Sequence, residues 1–314
     1  MNKREKVLGL LDPTQPPDYV PAAFFLHFPQ ECHRGQAAID AHLEYFRYTG
    51  MDVCKIQYEF AFPRLAEIQS PGDWAQMPAY RREFFQDQLE VVAGLVQAVQ
   101  GEALVLQTLY SPFMSAGHTA GSDLLDEHLK TAPEKVAPGL ETITESILWF
   151  VRACVELGVD GFYASTQGGE GFRFQDPSIF ATYVKPYDLA VMNEIDAKSA
   201  FNILHVCDYN GPYDDFVPIL DYPGHVVNSP LKVGERTMTA AEASTLWGRP
   251  YMGGLDRHGV LVDGTQEQIR AEVLDVLRDA PERFFLGADC TVPGDMNRDH
   301  LRTAIQTAHD YRRK

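Results

Sequence analysis

The chain has 314 residues, 45% of them hydrophobic, which is enough apolar side chain for a sizeable core at the usual length of one α/β barrel. Its formal charge of −17, from 44 acidic and 27 basic residues, repels phosphate backbones and anionic lipid, so no nucleic acid and no membrane is expected as a partner. No apolar run reaches about 18 residues, no signal-peptide core follows the charged start, and five scattered cysteines make no disulfide framework. The sequence therefore reads as a cytoplasmic protein whose reduced thiols are free to bind metal.

In chain order, a polar, proline-rich lead over Asp12 to Pro21 gives way to an apolar run, Ala22 to Phe28, read as a first buried strand ended by Pro29. Helical spacing follows over Ala37 to Thr49, then a β-branched and aromatic run over Met51 to Phe60. Arg81 to Gln100 predicts an amphipathic helix, and Leu104 to Tyr110 a third strand. A long loop with Gly117, Gly121 and Pro133 is expected next, carrying a short helix around Leu124 to Lys130. Glu141 to Leu157 resumes as a helix stopped by Gly158. Gly161 to Ser165 is the fourth strand, and Pro177 to Ala197 a helix bent near Pro186. Phe201 to Cys207, Val226 to Asn228, Tyr251 to Leu255 and Phe284 to Gly287 supply strands five to eight. Helices are expected over Ala240 to Leu246, Glu267 to Asp279 and His300 to Arg313.

Eight strands alternating with helices, without a low-complexity linker or repeat, predict a single domain over residues 1–314 with an α/β fold, one (β/α)8 TIM barrel. An open doubly wound sheet permits the same alternation, but no glycine-rich dinucleotide fingerprint follows the first strand. On a barrel the C-terminal ends of all strands share one mouth, where active sites sit.

His205 and Cys207 stand two apart at the end of the fifth strand, so its period of two puts both on one face. Imidazole and thiolate side by side are half of a zinc-type site, and Cys290, just past the eighth strand, supplies a third ligand across the mouth. Three protein ligands leave one position open, as catalytic zinc needs. Cys54 and Cys154 read as core, whereas Cys32, in the loop after the first strand, is within reach of the mouth. Asp208 and Asp289 adjoin two of the ligands and are read either as acceptors orienting His205 or as solvated carboxylates. Tyr58, Glu59, Tyr163, Gln167 and Asn228 lie at or near strand ends and are expected to line a substrate pocket, with Glu59, Glu170 or Gln167 as a fourth metal ligand. Gly168 to Gly171 is a weak anion-loop signal, and Arg64, Arg173 and Arg257 are read as contacts to a substrate carboxylate or sulfonate or to a protein partner.

The His205-Val206-Cys207 and Cys290 spacing resembles the zinc motif of the corrinoid-dependent thiol methyltransferases of the uroporphyrinogen decarboxylase superfamily. The likeness runs from Gly158 to the C-terminus, through Gly158-Val159-Asp160-Gly161-Phe162-Tyr163, Phe180, Pro186-Tyr187, Gly253-Gly254-Leu255-Asp256 and Gly287-Ala288-Asp289-Cys290-Thr291-Val292-Pro293. The resemblance implies a TIM barrel in which His205, Cys207 and Cys290 hold Zn2+. It also implies a methylated corrinoid (cobalamin) protein as donor, and a small thiol such as coenzyme M or homocysteine as acceptor. The metal-free decarboxylases of that superfamily use an arginine-rich motif after strand one and an aspartate after strand two. Here those places read Phe28-Pro29-Gln30-Glu31-Cys32-His33-Arg34-Gly35 and Gln57-Tyr58-Glu59-Phe60, and match neither. A decarboxylase acting on a porphyrinogen or other polyacid is the alternative, a non-catalytic corrinoid- or tetrapyrrole-binding module the second, and a homodimer is compatible with any of them.

Two thiolates beside one imidazole keep a zinc ion electron-rich, so a thiol bound to it is deprotonated yet stays nucleophilic. That donor set suits methyl transfer to sulfur better than hydrolysis.

Overall fold

A computed structural model describes residues 2–14, 17–99 and 101–312. Seven of the eight expected runs are strands of one parallel sheet: β1 (Val53–Ile56), β2 (Leu104–Tyr110), β3 (Gly161–Thr166), β4 (Ile203–Val206), β5 (Val226–Asn228), β8 (Tyr251–Leu255) and β9 (Phe284–Ala288), hydrogen-bonded in that order. β6 (Lys232–Val233) and β7 (Arg236–Thr237) form a small antiparallel hairpin beyond β5. The sheet strands are buried almost throughout, as strands covered on both faces must be, which is why they read as apolar runs rather than alternating ones.

Ala22 to Phe28, expected as the first strand, is not a regular strand. It makes one parallel bridge, Ala22 with Leu286 of β9. Leu286 donates to Pro21 O and Ala23 donates to Leu286 O, while on the other side Asp52, just before β1, donates to Ala22 O. This segment thus touches both edges of the curled sheet without a continuous ladder to either. The run after it is also shorter than expected, because β1 stops at Ile56 rather than Phe60.

Twelve helices are described: α1 (Lys3–Leu8), α2 (Gly35–Thr49), α3 (Arg82–Val99), α4 (Pro112–Ala120), α5 (Ser122–Thr131), α6 (Pro133–Leu157), α7 (Pro177–Tyr183), α8 (Lys185–Lys198), α9 (Ala240–Trp247), α10 (Val260–Asp263), α11 (Gln266–Asp279) and α12 (Arg298–Asp310). Gln100 and Arg313, the expected ends of two of them, lie outside the described residues. The short helix expected around Leu124 to Lys130 is α5, and the rest of the expected loop is α4 and an extension of the next helix back to Pro133 in α6. Pro112 and Pro133 each stand at a helix start, where the missing N–H costs nothing, and Ser111 caps α4 through Met114 N. The helix expected over Pro177 to Ala197 is broken rather than bent, with Val184 between α7 and α8 and Pro186 in the first turn of α8.

Candidate metal centre

β4 and the residue after it position the first two candidate ligands. His205 stands in register with Ser165 on β3 and Asn228 on β5. Cys207 lies one residue past the strand, but its N–H donates to Thr166 O at 3.0 Å, extending the ladder and keeping its side chain in phase with His205. Cys290 follows β9 by two residues. The ligand atoms of His205, Cys207 and Cys290 all lie within 4.8 Å of one another, and Cys290 Sγ is 3.4 Å from His205 Nε2. Zinc at its usual bond lengths spaces such donors by about 3.5–3.8 Å, so the cluster has the size and the softness for that ion. Hydrogen bonding to Cys290 and burial hold the Cys207 thiol up, while that bond, His205 and Arg257 favour the Cys290 thiolate.

Arg257, after β8, joins the two cysteine loops. Its guanidinium donates to Asp208 at 2.9 Å and to Asp289 at 2.8 Å, and its backbone N–H donates to Asp289 Oδ1. Each aspartate is the chain neighbour of a cysteine. They were read either as acceptors orienting His205 or as solvated carboxylates; neither bonds His205, and both hold Arg257. His205 is positioned by stacking on Tyr163 at 5.0 Å between ring centroids, and its Nδ1 is buried without a partner among the described residues.

The cluster opens on a cavity of about 770 Å³ whose wall includes Tyr163, Gln167, Tyr110, Phe113, Lys55 and Arg257. Of the expected pocket residues, Tyr163 and Gln167 line it. Gln167 donates to Cys207 Sγ at 3.4 Å and accepts from Asn210 at 2.9 Å. Asn228 lies beneath, with its side chain fully committed: it accepts from Tyr163 OH at 2.7 Å and donates to Met252 O and Ala288 O. Tyr58 is out of phase with the inward-facing Lys55 and Gln57 and packs outward on Phe150 of α6. Glu59 faces His27 at 3.5 Å and His33 at 3.6 Å. Burial pushes its carboxyl up, but His27, His33 and Lys55 together outweigh that and hold it below the usual range.

Glu170 is no fourth ligand. It accepts from Gly168 N at 2.6 Å and pairs with Arg173, which also reaches Asp126. The glycine loop therefore binds an anion of its own, and Arg173, 2% exposed, is unavailable to substrate. Arg64 and Cys32 are absent from the cavity wall.

Sequence reading missed Lys55 and Thr108, which lie on the wall, and α4, which supplies Phe113, Met114 and His118 to it. A lysine inside an apolar strand run was the signal for the first.

A parallel, curled α/β sheet with its polar cluster at the C-terminal strand ends defines the TIM-barrel-like class of architecture. Within it, the chain belongs to the family described as uroporphyrinogen decarboxylase (URO-D), which it matches over residues 49–311. A search of curated proteins finds no match to the sequence. Among solved structures the fold is similar to a methyltransferase from Methanosarcina mazei, with a TM-score of 0.78, 15% identity and 98% of each chain covered. It is also similar to a B12-independent methionine synthase from Shewanella sp. W3-18-1, solved with selenomethionine, with a TM-score of 0.55, 11% identity, and 93% of this chain and 97% of that one covered.

Proposed function

We propose that the protein is a zinc-dependent methyltransferase that moves a methyl group from a methylated corrinoid protein to a small thiol. The observation that carries the reading is the juxtaposition of His205, Cys207 and Cys290 on the wall of one cavity. In this reading those three residues hold the ion, and Gln167 orients the Cys207 sulfur. Zinc bound there supplies Lewis acidity that lowers the pKa of a thiol. Phe113 and Met114 give the cavity wall an apolar side. The same reading takes the fold as a barrel closed by Pro21 to Phe25 between β9 and β1.

The cavity fits a porphyrinogen polyacid less well, because the one arginine on its wall is already matched by two aspartates. The test is metal content of purified protein beside Cys207→Ser, followed by methyl transfer from methylcobalamin to thiols. Near one zinc per chain, lost with turnover in the variant, is expected. Retained zinc in Cys207→Ser, or full activity after chelation, would overturn the reading.

A further inference from the structure

The acidic surface of this chain encloses a lysine that no carboxylate directly pairs. Lys55 is 8% exposed and lies on the cavity wall. Among the described residues its ammonium has one hydrogen-bond partner, the Oε1 of Gln57, and no carboxylate within ion-pair distance. Gln57 is itself fixed, with Nε2 3.2 Å from His27 Nδ1. Two of the three ammonium donors are thus left over, and leaving a buried charge unmatched is costly unless something arrives to match it.

Thr108 repeats the pattern. It is 3% exposed, lies on the same wall, and its Oγ1 is buried with no partner among the described residues. Lys55 is in register with Leu106 of β2, and Thr108 is two residues further on, so strand alternation sends both side chains to the inner face. The Lys55 ammonium stands 4.8 Å from the Phe25 ring and 5.0 Å from the Tyr163 ring. Thr108 is the cross-strand partner of Tyr163, which stacks on His205. One aromatic ring therefore touches both the lysine and the metal cluster.

We infer that Lys55 and Thr108 form an oxyanion-binding site in the cavity, separate from the metal ligands, that takes the acidic group of the substrate. Resting on the thiol reading above, this makes Lys55 and Thr108 the residues that select an acidic acceptor over a neutral one. Arg257 and Arg173 are not rivals for that role, because each is matched by two carboxylates. Burial pushes the Lys55 ammonium down to about 7 even though Glu59 and the Cys290 sulfur pull it up, and a bound anion in hydrogen-bond reach supplies the direct partner that neither provides.

The test is calorimetry on zinc-loaded protein with 3-mercaptopropionate and 2-mercaptoethanesulfonate against 3-mercaptopropan-1-ol. Wild type is expected to bind an anionic thiol about tenfold tighter than the neutral one, a charge-assisted hydrogen bond's worth. Lys55→Met, close in volume, should erase that preference while leaving the neutral thiol and zinc content unchanged, and the isosteric Thr108→Val should reduce it. The tighter of the two anions identifies the oxyanion. A parallel 19F NMR titration of zinc-stripped protein with trifluoromethanesulfonate reads the anion site without metal or thiol. Binding of that probe which disappears in Lys55→Met upholds the site even if no thiol binds and the zinc reading fails. Equal binding of the probe, and an equal thiol preference, in wild type and Lys55→Met would overturn it whatever the metal does.

Discussion

Removing the Arg257 guanidinium leaves Asp208 and Asp289 facing each other beside two sulfurs, so the cysteine loops lose their tie and gain a repulsion. Arg257→Met is expected to weaken zinc binding about tenfold, the usual scale for losing a group that positions a ligand. Competition with a chromophoric chelator measures it, and unchanged affinity would remove Arg257 from the site's support. Lys55 gives a pH prediction. Its pKa falls from 10.5 to about 7 on folding, so between those values the unfolded chain binds the extra proton and stability rises with pH. The penalty is full below pH 7 and gone above the unfolded value. Lys55→Met should therefore be more stable than wild type at pH 7, with the gap closing by pH 10; urea midpoints across that range decide it. The grouping of the three side chains was legible, since a period of two places His205 with Cys207 and a shared mouth admits Cys290. The pairing of Asp208 and Asp289 with Arg257 was not, because it joins three loops that sequence spacing does not relate.

At the scale of elements, the tightest fit is where β3 begins. A Cβ on Gly161 would stand 1.7 Å from Phe201 O, so the approach of β3 to the segment entering β4 admits only hydrogen there. Gly161→Ala is expected to cost about 3 kcal/mol, read from urea denaturation, because backbone rather than a yielding side chain must move. A cost below 1 kcal/mol would show that β4 can shift, and with it His205. Helix and strand order were largely readable from apolar periodicity, with two instructive departures. Proline and glycine between β2 and β3 suggested loop, yet Pro112 and Pro133 begin helices and Gly121, at φ 90°, is the joint between two of them. The run Ala22 to Phe28 has the composition of a strand but only a bridge, because Leu26 to Phe28 leave the sheet edge for the cavity rim and the α2 layer: His27 faces the cavity, and Phe28 packs on His42 and Tyr45.

For the whole molecule, Asp52 is the clasp. Its carboxylate accepts from Ala22 N and Tyr19 OH, each at 2.8 Å, and is 2.8 Å from His309 Nε2 on α12. One buried side chain thus ties the early segment, the start of β1 and the last helix. Asp52→Ala leaves those donors unmatched and is expected to cost about 3 kcal/mol. Amide exchange at Ala22 and Ala23 should accelerate well before exchange in β3 does, and uniform acceleration would show the clasp to be no local device. The contact of Ala22 with Leu286 also bears on biosynthesis. A ribosome releases Ala22 long before it makes Leu286, so a nascent chain ending short of residue 284 carries the first apolar segment with one neighbour missing and β8 with an unpaired edge. Completion of this sheet therefore waits on β9, and chains terminated before residue 284 leave that edge exposed to aggregation.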